Sequence, residues 1–253
     1  MSLQDDKAYL FVCGCPRSGT TVLTRLLSSH ERVALGIERF GHLIEPEQFQ
    51  LTPALFEKQR FFDLHQGDTF YASLDEIGGG KYYPELEEKY DHCRYIGDKR
   101  PELYRVYPQL FSAFPNANVF FIFRNIMDVA QSYKVRALKG TWPATKSVEA
   151  AVSEWNESLR LTLKALEIHT IHCIQYEPFF SGDDADISPL IQALGLEDPA
   201  RPQSFFDNRL KLRARDLETE RGALLSSAEK HYIAREADFN AYRDLIASPY
   251  LIH

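Results

Sequence analysis

A glycine-containing segment at residues 14–21 has residue types that could hold a phosphate group. It reads Gly-Cys-Pro-Arg-Ser-Gly-Thr-Thr, which fits the frame G-x-x-x-x-G-K-[ST] except that Thr20 occupies the lysine position. Glycines permit a tight turn, and backbone N–H groups at the start of a helix then point at the anion. Arg17 supplies a cation. The missing lysine argues against nucleoside triphosphate chemistry, which uses that lysine at the β- and γ-phosphates.

A second group of donors follows another apolar run. Arg124 ends that run, and Ser132 and Arg136 come later on a segment with helical character. Because Ser132 and Arg136 are four residues apart, a helix would place both on one face. Arginine offers paired donors that match phosphate oxygens. The pattern therefore predicts a pocket for a dianionic phosphate.

These segments, in this order, resemble the sulfotransferases that use 3'-phosphoadenosine-5'-phosphosulfate (PAPS), in particular the bacterial and tyrosylprotein branch. Residues 16–21 resemble the loop that holds the 5'-phosphosulfate. Residues 124–132 resemble the motif that grips the 3'-phosphate, with Ile126 in place of the usual proline or glycine. Residues 97–101 resemble the lysine-containing middle segment of the family. The resemblance extends over roughly residues 8–180.

The resemblance implies a set of residues that bind the donor nucleotide. Tyr176 belongs to this set because relatives carry a nucleotide-contacting tyrosine after a late strand. The expected donor-binding residues are Pro16, Arg17, Ser18, Gly19, Thr20, Thr21, Arg124, Ser132, Arg136 and Tyr176.

The resemblance also implies catalytic roles for Arg17, Glu38 and Lys99. Arg17 and Lys99 would meet charge on the bridging and sulfuryl oxygens, and Glu38 lies where relatives carry a catalytic glutamate. Cytosolic small-molecule members have a histidine shortly after the middle lysine, whereas this chain continues with arginine and proline. His42 and His65 stay open as alternative bases.

The implied reaction is transfer of the sulfuryl group of PAPS to a hydroxyl, less often an amine, of an unidentified small-molecule, carbohydrate or peptide acceptor. The product would be adenosine 3',5'-bisphosphate. In-line sulfuryl transfer resembles phosphoryl transfer, and alignment with charge stabilisation meets its needs without a metal. Two alternatives stay open: a P-loop small-molecule kinase, and a catalytically inactive nucleotide-binding protein.

The apolar pattern predicts the elements that position these residues. Short apolar runs without a helical period predict buried strands, and runs with a 3.6-residue period predict helices. Together they predict an α/β fold with a P-loop-type, doubly wound, mainly parallel sheet and helices on both faces. The predicted elements follow one another in the order strand 9–13, helix 20–29, strand 118–123, helix 126–138, helix 147–168 and strand 171–176.

We expect one sulfotransferase domain over residues 1–253. The aromatic-rich stretch at about residues 40–94 predicts irregular helices and loops that either pack into the core or cover the substrate, with packing favoured. Residues 205–253 are the expected closing segment. It contains four cations that an extended strand would present on one side, although a solvated edge is the favoured interpretation: Arg209, Lys211, Arg213 and Arg215.

Composition excludes several classes of partner. The net charge of −7 and pI near 5.6 argue against non-specific binding to nucleic acid or to an anionic membrane surface. No apolar run approaches the ~18 residues that a membrane span requires. The four cysteines have no C-x-x-C spacing and favour a reducing, cytoplasmic environment. The sequence carries no signal for oligomeric state.

Overall fold

The structure, a computed structural model, describes residues 7–69, 82–140, 143, 145–181, 188–197 and 225–252. Its six strands form one mainly parallel sheet in the order β2-β3-β1-β4-β5-β6. This architecture confirms the predicted α/β class. The strands are β1 (Ala8–Cys13), β2 (Val33–Ile37), β3 (Tyr95–Lys99), β4 (Asn118–Phe123), β5 (His172–Gln175) and β6 (Leu251–Ile252).

The helices include all three that the apolar pattern predicted, which span residues 20–28, 126–138 and 148–166. Short 3₁₀ segments lie at Gly41–Leu43, Pro53–Phe56, Tyr90–His92 and Pro101–Val106. Among the described helices, none is long and apolar enough to cross a bilayer. The α-helices are α1 (Thr20–Ser28), α2 (Lys58–Phe62), α3 (Tyr82–Lys89), α4 (Tyr107–Ala113), α5 (Ile126–Leu138), α6 (Val148–Leu166), α7 (Tyr176–Ser181), α8 (Ser188–Ala193), α9 (Ser227–Glu236) and α10 (Phe239–Ile246).

Side-chain caps explain where several helices of the second half begin. The Asn125 side chain accepts a hydrogen bond from the Met127 amide at 2.8 Å and caps α5. Ser147 caps α6, and Ser226 forms a capping box with Glu229 at the start of α9. Such caps satisfy amide groups that the first helical turn leaves without intrahelical partners.

The residues group into two compact units, and each has its own core. The described part of the first unit comprises residues 7–13, 20–69, 82–120 and 188–197. In it, Val12 and Ile37 both pair with Lys99 in parallel register. Because parallel strands end at the same edge of a sheet, the residues that follow β2 and β3 come close together.

Aromatic rings fill the core of the first unit. The Phe56 ring centre lies 5.5 Å from that of Phe40 and 5.8 Å from that of Phe114, in edge-to-face geometry. Phe40, Phe56 and Phe61 are all buried. Several described aromatics of the aromatic-rich stretch at residues 40–94 thus belong to the core. Phe70 and Tyr71 of the same stretch lie outside the described residues.

The described part of the second unit comprises residues 14–19, 121–140, 143, 145–181 and 225–252. Its buried Trp155 stacks on Tyr242 with ring centres 5.5 Å apart. Near the carboxyl terminus, α9 and α10 precede β6, which pairs in parallel with β5. The four cations predicted on an extended strand, Arg209 to Arg215, lie outside the described residues.

The two-residue β6 was not predicted, and neither were the longer strands β2 and β3. Their sequences, VALGI and YIGDK, contain a glycine each, and β3 ends in two charged residues. Both glycines permit close approach: a Cβ on Gly97 would lie 1.7 Å from the Leu10 carbonyl oxygen, and one on Gly36 would lie 2.8 Å from Asp98 Oδ1. The missed strands carry the residues that flank Glu38 and Lys99.

Candidate active site

The predicted phosphate-binding loop needs glycine at both ends for steric reasons. A Cβ on Gly14 would lie 2.1 Å from the carbonyl oxygen of Ile122. A Cβ on Gly19 would lie 2.6 Å from the ring of Tyr176, and the φ angle of Gly19 is 98°. Within the loop, the Ser18 amide donates a hydrogen bond to the Cys15 carbonyl at 3.0 Å. The loop is therefore a tight turn that packs against β4 and against the residue after β5.

Arg17 occupies the middle of this loop in a left-handed conformation, with φ of 74°. A non-glycine residue there costs about 1–3 kcal/mol, and such conformations cluster at functional sites. Its Nε donates a hydrogen bond to Ser132 Oγ at 2.8 Å. This bond joins two motifs that are 115 residues apart in the sequence.

Contacts on several sides hold the Arg124 side chain. Its guanidinium carbon lies 4.1 Å from the centre of the Tyr176 ring, and its Nη2 lies 3.2 Å from Asp128 Oδ2. The backbone carbonyl of Arg124 accepts a hydrogen bond from Trp155 Nε1 at 2.8 Å. The side chain is buried, so it presents its charge from a fixed position.

Ser18 supplies a further hydroxyl in the loop. Its Oγ is buried and has no hydrogen-bond partner among the residues that the structure describes. A buried hydroxyl without a partner costs about 1–3 kcal/mol, which a bound anion would recover by accepting its hydrogen bond. Five of the residues predicted to bind the donor are called the anion-binding cluster below: Arg17, Ser18, Arg124, Ser132 and Tyr176.

The other predicted donor-binding residues lie on or next to the elements of this cluster. Pro16 is buried within the loop, and Thr20 and Thr21 begin α1. Thr20 is buried, and its carbonyl accepts a hydrogen bond from Thr24 Oγ1. Arg136 lies on α5 one turn after Ser132, as its spacing predicted, and is partly exposed.

Two of the predicted catalytic residues, Glu38 and Lys99, lie in the first unit next to Asp98 and Arg100, and these four residues are called the carboxylate cluster below. Lys99 Nζ lies 2.5 Å from Glu38 Oε1, and Arg100 Nη1 lies 3.5 Å from Glu38 Oε2. Lys99 is 1% exposed, whereas the Glu38 side chain is 26% exposed. A buried ammonium thus faces a carboxylate that solvent can still reach.

Glu38 shares the left-handed conformation of Arg17, with φ of 56°. Among the residues that the structure describes, these two are the non-glycine residues with positive φ. The Glu38 amide donates to the Lys99 carbonyl at 2.8 Å, which extends the pairing of β2 with β3 by one residue before the chain turns.

Asp98 is a residue of this cluster that sequence reasoning did not assign to a role. Its Oδ1 accepts hydrogen bonds from the amides of Arg39 at 3.1 Å and Lys99 at 2.9 Å, and its Oδ2 accepts one from the Phe40 amide at 3.3 Å. Burial raises the pKa of Asp98 to about 6, despite these bonds. The available signal was an acidic residue between a glycine and two basic residues, in the segment directly after the short apolar pair at 95–96.

The two alternative bases, His42 and His65, lie in surroundings that differ from those of Glu38. His42 is exposed, and its Nε2 lies 3.8 Å from Asp68 Oδ1. His65 is also exposed, and its Nε2 lies 2.9 Å from Asp63 Oδ2. Neither has the left-handed backbone that distinguishes Glu38.

A family model described as "Sulfotransferase family" matches residues 10–200. No curated protein matches the chain significantly. Among solved structures, the chain is similar to the sulfotransferase domain of the Synechococcus PCC 7002 olefin synthase, with 15% identity, coverage of 97% of each chain and a TM-score of 0.54. This similarity supports the shared fold.

Two further solved structures are similar at lower TM-scores. A sulfotransferase from Alicyclobacillus acidocaldarius shares 16% identity over 88% of this chain and 99% of that one, with a TM-score of 0.49. The sulfotransferase domain from the curacin biosynthetic pathway shares 18% identity over 77% of this chain and 76% of that one, with a TM-score of 0.47.

Proposed function

Because the chain belongs to the sulfotransferase family, we propose that it transfers the sulfuryl group of PAPS to a hydroxyl group of an acceptor. The observation that carries this proposal is the hydrogen bond from Arg17 to Ser132. It links the loop expected at the 5'-phosphosulfate to the helix expected at the 3'-phosphate.

The anion-binding cluster supports the donor assignment by its chemistry. The loop offers the Arg17 guanidinium, the Ser18 hydroxyl and backbone N–H groups to the 5'-phosphosulfate. Arg124, Ser132 and Arg136 offer donors to the 3'-phosphate, and Tyr176 fixes the Arg124 guanidinium by stacking on it. The buried Ser18 hydroxyl fits an anionic ligand because it retains a hydrogen-bonding capacity that the described protein atoms do not use.

The proposed reaction is an in-line displacement at sulfur. The acceptor oxygen forms a bond to sulfur, and the bond from sulfur to the bridging oxygen breaks with its electron pair leaving on the 5'-phosphate. The proton of the acceptor hydroxyl passes to the Glu38 carboxylate. Arg17 and the loop N–H groups stabilise the departing phosphate, and Lys99 stabilises charge on the sulfuryl and bridging oxygens.

The ion pairs of Glu38 support its role as the base. Lys99 and Arg100 favour the ionised carboxylate, which is the form that accepts a proton. The left-handed backbone of Glu38 also supports a functional role, because such conformations cost about 1–3 kcal/mol and cluster at functional sites. Transfer to a hydroxyl acceptor gives a sulfate ester, and adenosine 3',5'-bisphosphate is released.

The proposal extends to the acceptor class and the setting of the enzyme. A hydroxyl of a small molecule, carbohydrate or peptide is the proposed acceptor, and an amine is the less favoured one. The reaction requires no metal in principle, since cations and N–H groups of the chain supply the charge stabilisation. A cytoplasmic location is proposed from the spacing of the cysteines, all four of which are buried and form no disulfide bond with one another.

A transfer assay tests this function. The purified protein is incubated with ³⁵S-labelled PAPS and panels of phenols, alcohols, sugars, peptides and amines, and labelled products are separated. We expect label on at least one hydroxyl acceptor, with release of the bisphosphate. Bisphosphate binding without transfer to any panel would support the catalytically inactive alternative. Phosphoryl transfer from ATP and Mg²⁺ would support the kinase.

A further inference from the structure

The turn that carries Glu38 has an unusual anchor. Glu38 follows β2 with φ of 56°, and the next two residues, Arg39 and Phe40, direct their amides at the side chain of Asp98 on β3. Asp98 also accepts the amide of Lys99, the residue that pairs with Glu38. One buried carboxylate therefore binds the backbone on both sides of the Glu38–Lys99 ion pair.

This arrangement needs a carboxylate and not merely a polar side chain. Both oxygens of an ionised Asp98 accept, so three amides can be satisfied at once. An amide side chain has one accepting oxygen, and its NH₂ group would face an N–H donor in either orientation. A buried amide that loses its acceptor costs about 1–3 kcal/mol, so the turn would rearrange.

We propose that Asp98 is a positioning residue that fixes the backbone turn of Glu38 and thereby holds the Glu38 carboxylate against Lys99. This inference rests on the proposed function only in giving Glu38 the role of the base. Asp98 acts through the turn and does not itself touch the reacting atoms.

The ionisable groups around Asp98 and the space next to its side chain are consistent with this role. The groups that face it are Lys99 beside it and the phenols of Tyr82 and Tyr83 on α3. Burial raises the pKa of both phenols, so at neutral pH they add no charge. A Cβ on Gly36 would lie 2.8 Å from Asp98 Oδ1, so the glycine leaves room for the carboxylate.

The variant Asp98→Asn tests the proposal because it keeps size and shape. We expect kcat to fall about 100-fold, since displacement of a catalytic group by about 1 Å has an effect of this order. The Kd for adenosine 3',5'-bisphosphate should change less than twofold, because the anion-binding cluster is untouched. Hydrogen exchange at the amides of Arg39 and Phe40 should accelerate, while exchange in α5 stays unchanged.

Asp238→Asn is the matched control. Asp238 also caps backbone, since its Oδ1 accepts the Ala241 amide at 3.1 Å at the start of α10. We expect this variant to keep the wild-type kcat, because asparagine is an equally good helix cap.

A double-mutant cycle separates positioning from a general defect. In a Glu38→Gln background, Asp98→Asn should cost little further activity, because its effect passes through Glu38. Equal losses in both backgrounds, an unchanged kcat, or unchanged exchange at Arg39 and Phe40 would each overturn the proposal. Where the Glu38→Gln background is too slow to measure, the exchange rates decide. A wild-type protein that transfers no sulfuryl group contradicts the proposed function alone, since the exchange experiment still tests Asp98.

Discussion

The anion-binding cluster and the carboxylate cluster use their cations in different ways. Arg17 donates to a neutral hydroxyl, and Arg124 stacks on a neutral ring while pairing with one carboxylate. In the carboxylate cluster, Lys99 and Arg100 both direct their charge at Glu38. The described contacts of the first cluster join the loop to α5, whereas those of the second hold the Glu38 carboxylate beside two cations.

Under the proposed function, this difference separates binding from chemistry, except at Arg17, which takes part in both. Substitutions at the other residues of the anion-binding cluster should act on nucleotide affinity, and substitutions in the carboxylate cluster should act on turnover. In both clusters a left-handed non-glycine residue marks the centre, Arg17 in one and Glu38 in the other. The strain is common to both clusters, and the chemistry around it differs.

The largest effect is expected from Glu38→Gln. Loss of a general base lowers kcat by roughly 10²–10⁴-fold, whereas the Kd for the bisphosphate should stay within twofold of wild type. Steady-state assays and calorimetry measure the two quantities. Glu45→Gln, at an exposed position in the same segment, is the control and should match the wild-type protein. Unchanged turnover in Glu38→Gln would remove this residue from the role of base.

Arg124→Ala tests the anion-binding cluster through its effect on nucleotide affinity. Loss of a charge-assisted contact should weaken bisphosphate binding roughly 100-fold. Adenosine 5'-phosphosulfate lacks the 3'-phosphate, so its binding should weaken much less. Calorimetric titration with each ligand gives the loss of affinity for the bisphosphate relative to that for adenosine 5'-phosphosulfate. Asp128→Asn is the control variant, because it removes the ion-pair partner of Arg124 while leaving the arginine. Equal losses for both ligands in Arg124→Ala would refute the 3'-phosphate assignment.

Stability of the fold should depend on pH through Asp98. Its pKa is raised from 3.8 to about 6, so the native state binds more protons than the unfolded state between these values. The contribution of Asp98 to the free energy of unfolding should therefore fall by about 2 kcal/mol as pH rises from 4 to 6. Denaturant unfolding of the wild-type protein and Asp98→Asn gives this contribution as a difference. A difference that is constant with pH would contradict the raised pKa.

Gly19→Ala should have the smallest of these effects. The added methyl group meets the Tyr176 ring, which also stacks on Arg124, so we expect bisphosphate affinity to fall about tenfold. Gly140→Ala is the matched control, because Gly140 also has a positive φ, 65°, yet a Cβ there meets nothing within 4 Å. If both variants bind the bisphosphate equally well, contact with Tyr176 has no part in shaping the cluster.

The anion-binding cluster could be predicted from sequence because its signals are local. Residues 14–21 carry both glycines of the turn motif, and the four-residue spacing of Ser132 and Arg136 is fixed by the helix that contains them. The strand 118–123 was predicted for a similar reason, since its apolar run is uninterrupted.

The carboxylate cluster could be predicted only in part because pairing between strands builds it. The Arg39 amide and the Asp98 carboxylate are 59 residues apart in sequence, and no motif links them. The strands that bring them together were missed because Gly36, Gly97 and the charged end of β3 weaken the strand pattern. Glycine at these positions reflects close packing of the sheet, which sequence periodicity does not reveal.

The most direct test of the account is calorimetric titration of the wild-type protein with adenosine 3',5'-bisphosphate, with ATP and Mg²⁺ as the control. The anion-binding cluster predicts tight binding of the bisphosphate and none of ATP. Binding of ATP and Mg²⁺ without binding of the bisphosphate would contradict the donor site, and binding of neither would leave the cluster without its proposed ligand.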